Sequence, residues 1–594
     1  MLRSMVTQGQ VYLYAPGLSS WCRMLLAFSF PGGLLSSGVL LFADWSPRRA
    51  SRSGVIRKMT GFSGKRLGGV AVLPALTFLL LTGCGRSRPE PPSLLVMVVV
   101  DQLRGDLLET YDSLFTGGFR RLHDEGLRFS GATHDHGKTA TAPGHTTLGT
   151  GVFPARNGIV NNSWLERTPD GWRSVYCFED TLAHILGHPS MEGRSPRNNL
   201  REGLADWILD ADSEAVFASI SRKDRAAIGM AGQARGQVYW IAQNEGRFVT
   251  SSYYTDSYPV WVDRFNREAM PRIMGDSVWE QTLSPAQRSL TRRDTVPYEG
   301  DGEHTFFPHR FGEESSDPDG PRALNRWAYS QMHPDAAVAA FAQEAVRSLG
   351  MGGDEVTDFL ALSFSQADAI GHDYGPFSRE QLENLLHLDR ALGQLMTFLD
   401  DTVGEGRWLL AFSGDHGVMT MPEYLTELGE EGRRPTEEEL SRLRQTFEEY
   451  RGREGDPMEV AEALVAELEA MPILADAATA AELLSSGPPA DSFSVYLRNS
   501  YHPDRWHWGY GSQGTGVVFR FIPALYADPE PRGTGHGSPY FYDRHVPLIF
   551  FGPGVERGLS EAPARTVDLV PTLAFLAGIP VPDDLDGRPL LEGG

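Results

Sequence analysis

Leu94-Leu-Val-Met-Val-Val-Val100 contains only apolar side chains and stops at Asp101. A run of that kind suits a strand buried on both faces, the pattern of a parallel sheet covered by helices. Two further runs repeat the design. Asp358–Phe364 leads through Ser365-Gln-Ala to Asp368, and Trp408–Phe412 leads through Ser-Gly to Asp415. Val546–Phe551, ending at Gly552-Pro553, is another central candidate. Amphipathic stretches lie between these runs, which predicts an α/β fold: a doubly wound, mostly parallel central sheet flanked by helices. In such sheets ligands gather outside the carboxyl ends of the strands. Asp101, Asp368 and Asp415 all fall there.

Histidines accompany the downstream acids. Asp368-Ala-Ile-Gly-His372 has the i, i+4 spacing of one helix face. Asp415-His416 follows Gly414, where a turn can aim both side chains at one point, and His536 stands in the loop-like Gly535-His536-Gly537. Thr141 lies in Lys138-Thr-Ala-Thr-Ala-Pro-Gly-His145. Pro143 suits the first turn of a helix, so Thr141 is expected near a helix N-terminus, where free N–H groups favour an anion. Three carboxylates, three imidazoles and one hydroxyl suffice to ligate two Zn²⁺ ions with a nucleophile between them. Local sequence does not choose between Thr139 and Thr141. His145 is expected to pack or hydrogen-bond behind the turn, while His134 and His136 stay open as further ligands.

These stretches resemble the alkaline phosphatase superfamily, and within it the PafA-type alkaline phosphatases, cousins of the nucleotide pyrophosphatase/phosphodiesterases. The resemblance runs from about Leu94 to the C-terminus. It rests on Val98-Val-Val-Asp101-Gln-Leu-Arg104, Thr141-Ala-Pro-Gly-His145, Gly158-Ile-Val-Asn-Asn162-Ser-Trp164, Lys223-Asp-Arg225 and Thr534-Gly-His536-Gly-Ser-Pro539. It implies one zinc held by Asp368, His372 and His536, and a second held by Asp101, Asp415, His416 and the Thr141 oxygen. Thr141 would be the nucleophile, attacking phosphorus to give a phosphothreonine intermediate. Asn162, Lys223 and Arg225 would bind the phosphoryl oxygens. A Lys-x-Arg pair marks the monoesterase branch by resemblance. The charges agree: two Zn²⁺ balance three carboxylates and an alkoxide, leaving Lys223 and Arg225 to match a phosphate dianion.

The expected activity is therefore hydrolysis of small-molecule phosphate monoesters. A nucleotide pyrophosphatase/phosphodiesterase on the same scaffold, and a non-catalytic binding lipoprotein at the cell surface, are the alternatives. Formal charge is −23, from 77 acidic and 54 basic side chains, which argues against nucleic-acid binding. A sulfatase would need a Cys or Ser nucleophile in a C/S-x-P-x-R motif, and no Walker-type phosphate loop occurs. Gly509-Tyr-Gly511-Ser-Gln-Gly514 fits a dinucleotide pattern but follows Trp506-His-Trp-Gly, not a buried strand. It reads as a loop near the site.

The N-terminus reads separately. Lys65-Arg66 precede an apolar stretch, Gly68–Leu81, and then Leu81-Thr-Gly-Cys84. This is a secretory signal resembling a lipoprotein box, in which Cys84 is lipidated. Residues 59–84 would be that signal, with Met59 the start, and residues 85–93 a Pro-rich tether. Residues 1–58 read as upstream or disordered sequence, with Met24–Phe42 as a possible membrane segment broken by Pro31-Gly32-Gly33. Gly85 after the Cys suggests a periplasmic or cell-surface protein on the outer membrane. Cysteines occur only at 22, 84 and 177, so a lipidated mature chain would keep one free thiol. The catalytic domain would span 94–592. Its insertions are a loop-rich cap at about 245–345 and a helical elaboration at about 421–515 that includes Glu437–Arg451 and Pro457–Ala470. Asp568–Gly578 reads as a closing helix with a glycine cap. Oligomeric state is not legible.

Overall fold

The computed structural model describes residues 3–7, 10–14 and 91–591, except 169–170, 318–319, 321, 452, 486–490, 506–515 and 529–530. Cys84, the signal sequence and the Gly509–Gly514 loop therefore lie outside the described residues. The chain divides into two units, Met1–Gly83 and Cys84–Gly594. In the first, Arg3–Thr7 pairs antiparallel with Gln10–Tyr14. Among the described residues no helix is long and apolar enough to cross a membrane.

The second unit is built on a nine-stranded sheet. In chain order its strands are β1 (Leu94–Val100), β2 (Leu127–Phe129), β3 (Phe217–Ser221), β4 (Gln237–Ala242) and β5 (Arg247–Val249). Then come β6 (Asp358–Phe364), β7 (Trp408–Gly414), β8 (Leu548–Phe551) and β9 (Gly558–Ser560). Their spatial order is β9-β2-β8-β7-β1-β6-β3-β4-β5. The central strands β7, β1, β6, β3 and β4 are mutually parallel. Register fixes the site: Val100 lies opposite both Phe364 and Gly414, so Asp101, Ser365 and Asp415 leave the sheet at one level.

Alternation along β1 divides the core. Leu94, Val96, Val98 and Val100 join one cluster with Leu385, Leu392 and Phe341; Leu95, Met97 and Val99 join the other with Leu148, Ile228 and Leu573. All seven β1 residues have no exposure. At roughly 1.5–3 kcal/mol per fully buried large apolar side chain, this strand is a principal stabilising element. The closing helix spans Leu569–Ala577 and ends at Gly578 in the left-handed region, as its sequence predicts.

Three expectations change. The strand expected at Val546–Phe551 begins at Leu548 and runs antiparallel to β7, making the sheet mixed at that side. The stretch 245–345 is not all cap: β5 pairs with β4, and helix His333–Leu349 packs against the sheet. The second insertion extends past 515. Its helices Glu437–Arg451 and Pro457–Glu469 share a core with an antiparallel ribbon, Leu474–Thr479 and Val517–Phe521. Phe447, Leu464 and Phe519 lie in that separate core, so the insertion is a small α/β body of its own.

Candidate metal and phosphate site

Helix Thr141–Thr150 begins at the nucleophile candidate, with Pro143 in its first turn. A side chain on Gly144 would put Cβ 2.2 Å from the Asp415 carbonyl oxygen, so only glycine lets this helix reach the end of β7. Thr141 is 1% exposed and its hydroxyl has no partner among the described residues. Thr139 is committed elsewhere: its hydroxyl donates to the Ser538 carbonyl at 2.9 Å and accepts the Gly537 N–H at 3.1 Å. His145 holds the turn from behind. Its Nδ1 lies 2.9 Å from the Thr141 carbonyl and 3.0 Å from an Asp415 oxygen, and Nε2 meets the Ser363 hydroxyl at 2.8 Å.

Six of the seven expected ligands converge, the three aspartates and three histidines. Asp368 and His372 share helix Gln366–Tyr374, with His372 Nε2 3.2 Å from Asp368 Oδ1; His536 Nε2 reaches the same oxygen at 3.5 Å. His416 Nε2 lies 3.5 Å from Asp101 Oδ1 and 3.4 Å from Asp415 Oδ2. Two groups have ligand atoms close enough for one ion each: Asp368 with His372 and His536, and Asp101 with Asp368 and His416. Asp368 thus stands between the two halves.

The donor set fits metal ions. All three imidazoles present Nδ1 to a backbone carbonyl: His372 to Thr534 at 2.8 Å, His416 to Gly417 at 2.9 Å and His536 to Thr139 at 2.7 Å. A carbonyl accepting from Nδ1–H leaves the Nε2 lone pair for a cation, the arrangement metal-binding histidines use. Asp101 Oδ1 and His416 Nε2 are buried without a hydrogen bond, while Asp101 Oδ2 meets the Lys223 ammonium and Asp415 Oδ2 meets His145 Nδ1. Burial and the facing His536 pull His416 below its ordinary value, which keeps it neutral. Burial and the neighbouring Asp101 push Asp415 up to about 7. Such strain among buried acids is what a cation relieves. His536, which reads as an exposed loop residue, is instead largely buried, because its ring stacks on His416 with centroids 3.6 Å apart.

The phosphate-binding candidates surround this centre. The Asn162 side-chain oxygen accepts the Ala142 N–H at 2.9 Å, which orients the amide and leaves its NH₂ group without a protein partner among the described residues. Arg225 makes no side-chain hydrogen bond or ion pair among the described residues, and its Nε is buried and unsatisfied. Its neighbour Asp224 is engaged by the Tyr176 hydroxyl at 2.6 Å and by Arg194 Nε at 2.7 Å. Burial opposes the charge of Arg225, but Tyr176, Asp224 and Asp101 outweigh that and lift its pKa above the ordinary arginine value. Lys223 is placed differently from the expected phosphoryl contact. Its ammonium bridges two ligand carboxylates, 2.5 Å from Asp101 and in direct contact with Asp368. His134 and His136 lie outside the ligand groups. His134 is used by the Gly414 carbonyl at 3.0 Å and the Thr566 hydroxyl at 2.8 Å, and His136 Nδ1 meets the Lys138 carbonyl at 3.0 Å.

Sheet order, strand-end acids and the paired ligand groups define a metal-binding α/β enzyme. The chain belongs to the type I phosphodiesterase/nucleotide pyrophosphatase family, which matches residues 95–534. It is 29% identical over 520 residues to alkaline phosphatase PhoV of Synechococcus elongatus, covering 84% of this chain and 92% of that one. It is also 29% identical to alkaline phosphatase PafA of Elizabethkingia meningoseptica, covering 86% and 96% of the two chains. The crystal structure of wild-type PafA superimposes with a TM-score of 0.74 at 27% identity, over 84% of this chain and 98% of that one.

Proposed function

We propose that this chain is a phosphoric monoester hydrolase of the alkaline phosphatase kind, using two zinc ions and Thr141 as nucleophile. The monoesterase class rests on alkaline phosphatase relatives that span most of both chains and on the PafA fold. The observation that carries the mechanism is the Arg225 guanidinium, without a side-chain partner among the described residues, together with the buried and unbonded Asp101 Oδ1 and His416 Nε2. A protein core tolerates that combination when a phosphate and metal ions complete it. A published PafA variant replaces one threonine, one asparagine, one lysine and one arginine, the same four residue types as Thr141, Asn162, Lys223 and Arg225.

Asp368, His372 and His536 would hold one ion; Asp101, Asp415, His416 and the Thr141 oxygen would hold the other. When bound, the ions supply Lewis acidity and lower the pKa of attached hydroxyls. The remaining work falls to the chain. Helix Thr141–Thr150 begins at Thr141, so the positive end of its dipole faces the anion. Arg225 offers a fork of donors to phosphoryl oxygens and Asn162 offers its NH₂ group. Thr141 Oγ1 forms the bond to phosphorus as the ester P–O bond breaks, and water then cleaves the phosphothreonine. Lys223 neutralises Asp101 and Asp368, so the centre carries enough positive charge for a dianion.

We also place the protein at a membrane, lipidated at Cys84 and exported to the periplasm or cell surface, on the strength of the Leu81-Thr-Gly-Cys84 box. Cys84→Ala should release it from the membrane fraction with activity intact. Elemental analysis of the purified enzyme, with rates on matched phosphate mono- and diesters, tests the whole reading. Zinc-free protein of full activity, or faster diester turnover, would overturn it.

A further inference from the structure

A cavity of about 360 Å³ opens beside His536, between its loop and the second insertion. Phe519, Phe521 and Tyr526 form apolar walls, and Gly537 and Ser538 the floor. Its lining holds three cationic side chains, Lys138, Arg444 and Arg520, against two acidic ones, Asp528 and Asp543. Two of the cations have donors to spare. The Lys138 ammonium makes no hydrogen bond or ion pair among the described residues; Arg520 donates to the Tyr540 hydroxyl at 3.4 Å and lies 3.6 Å from Asp476, but its Nε is buried and unsatisfied. Asp543 is tied down, accepting from Ser538 N–H at 2.9 Å and the Ser538 hydroxyl at 2.6 Å. The floor is shaped for Lys138: Cβ on Gly537 would lie 2.9 Å from its Nζ, at a φ of +110°.

Arg444 is paired with Glu437 and Arg520 with Asp476, which leaves Lys138 as the cation without a partner among the described residues, beside aromatic walls in a chain with formal charge −23. Pockets that pair an apolar lining with a few unmatched polar groups bind small molecules. Position says which part of one. In an in-line displacement the leaving oxygen departs on the side opposite the nucleophile. Thr141 and Asp415 share His145 Nδ1, which puts Thr141 on the Asp415 side, so departure would be toward Asp368, His372 and His536. His536 is also on the wall of the cavity.

We propose that this cavity is the subsite for the alcohol portion of the ester. It selects phosphate monoesters whose alcohol carries an aromatic ring and a second acidic group. The ring would rest on the Phe519–Tyr526 wall and the acid would meet Lys138 and Arg520. This inference rests on the phosphatase reading above and adds a substrate class to it.

The test compares 4-carboxyphenyl phosphate with phenyl phosphate on the metal-loaded full-length enzyme, alongside calorimetric binding of the product alcohols 4-hydroxybenzoate and phenol. Wild type should favour the carboxylated ester in kcat/KM, and bind the carboxylated alcohol, by about tenfold, the worth of one charge-assisted contact. Lys138→Met and Arg520→Gln should each erase most of that preference, and Lys138→Arg should restore it in the first case. Two variants from separate segments keep the test open if one misfolds. Turnover of both esters with no preference in wild type, or a preference untouched by either substitution, overturns the subsite alone. Failure of the metal-loaded wild type to cleave either ester overturns the phosphatase reading together with it.

Discussion

Asp335 caps a helix to which it does not belong: its Oδ1 accepts the Ser365 N–H at 2.8 Å. Its second oxygen takes the Gln366 N–H at 3.3 Å. The capped helix, Gln366–Tyr374, carries Asp368 and His372, whereas Asp335 lies in the first turn of His333–Leu349. A side chain from one helix thus fixes where two candidate ligands of another begin. Asp335→Ala should weaken metal affinity about 10- to 100-fold, the usual cost of losing an outer support of a metal site. Chelator-competition titration reads this directly. Asp335→Asn, which keeps one acceptor, should lose less. Equal metal affinity in wild type and Asp335→Ala would show that the cap does not position the ligands.

That support was not legible in the sequence, because Asp335 lies thirty-odd residues before the ligands and meets them only through folding. What could be read shares a different character. Buried strands announce themselves as apolar runs, and the Asp368–His372 pair sits on one helix, so spacing alone joins the two. The strand-end acids converge because β7, β1 and β6 are parallel and in register, which follows from the α/β pattern. Properties set by long-range pairing were hidden. The direction of β8 depends on its pairing with β7. Lys223 meets Asp101 and Asp368 across the sheet ends. The burial of His536 depends on a ring, His416, more than a hundred positions away.

A second prediction concerns pH and a site beyond the metal ligands. His309 is buried between Glu314, at 2.9 Å, and Glu380, at 3.4 Å. Burial disfavours its charge, but the two carboxylates prevail and raise it from 6.5 to about 9. A histidine raised on folding stabilises fully below its unfolded value and loses that contribution as pH climbs through the folded one. The window is therefore from about 6.5 to about 9, and the contribution on the order of 3 kcal/mol at most. Tm should decline across this range in wild type. His309→Gln should be less stable at low pH and lack this component of the slope. An identical slope in both proteins would refute the assignment.

Metal removal should act on stability as well as on rate. Asp101 Oδ1 and His416 Nε2 are buried without a hydrogen bond, so the metal-free centre keeps unmatched polar atoms. Chelation should therefore lower Tm and abolish phosphatase activity. Zn²⁺ should restore both better than Mg²⁺, because imidazole and carboxylate donors favour the former. A Tm unchanged by exhaustive chelation would mean that the fold satisfies these groups by itself.

Thr141 and Thr139 are separable by experiment. Only Thr141 has an uncommitted hydroxyl, since Thr139 braces the loop of His536 through Ser538 and Gly537. Thr141→Ala should remove the acid-stable phosphoenzyme seen after quenching with labelled substrate, and Thr141→Ser should retain it. Thr139→Ala should keep the label while loosening the His536 loop. A label that survives Thr141→Ala would move the nucleophile elsewhere.

Arg225 gives the sharpest test of substrate choice. Its guanidinium is charged, half-buried and unpaired, while Asp224 beside it is engaged by Tyr176 and Arg194. A monoester presents about two negative charges and a diester about one at neutral pH, so a free arginine favours the monoester transition state more strongly. Arg225→Ala should lower monoester kcat/KM by roughly 10²-fold, the range expected for a lost donor in a preorganised site. Diester turnover should fall much less, narrowing the preference between them. Arg225→Lys should recover only part of the loss, because an ammonium supplies the charge without the fork. Metal content and Tm measured on the same variants separate this from damage to the centre. Equal losses on both esters with intact metal would assign Arg225 to general anion binding and remove the charge argument for a monoesterase.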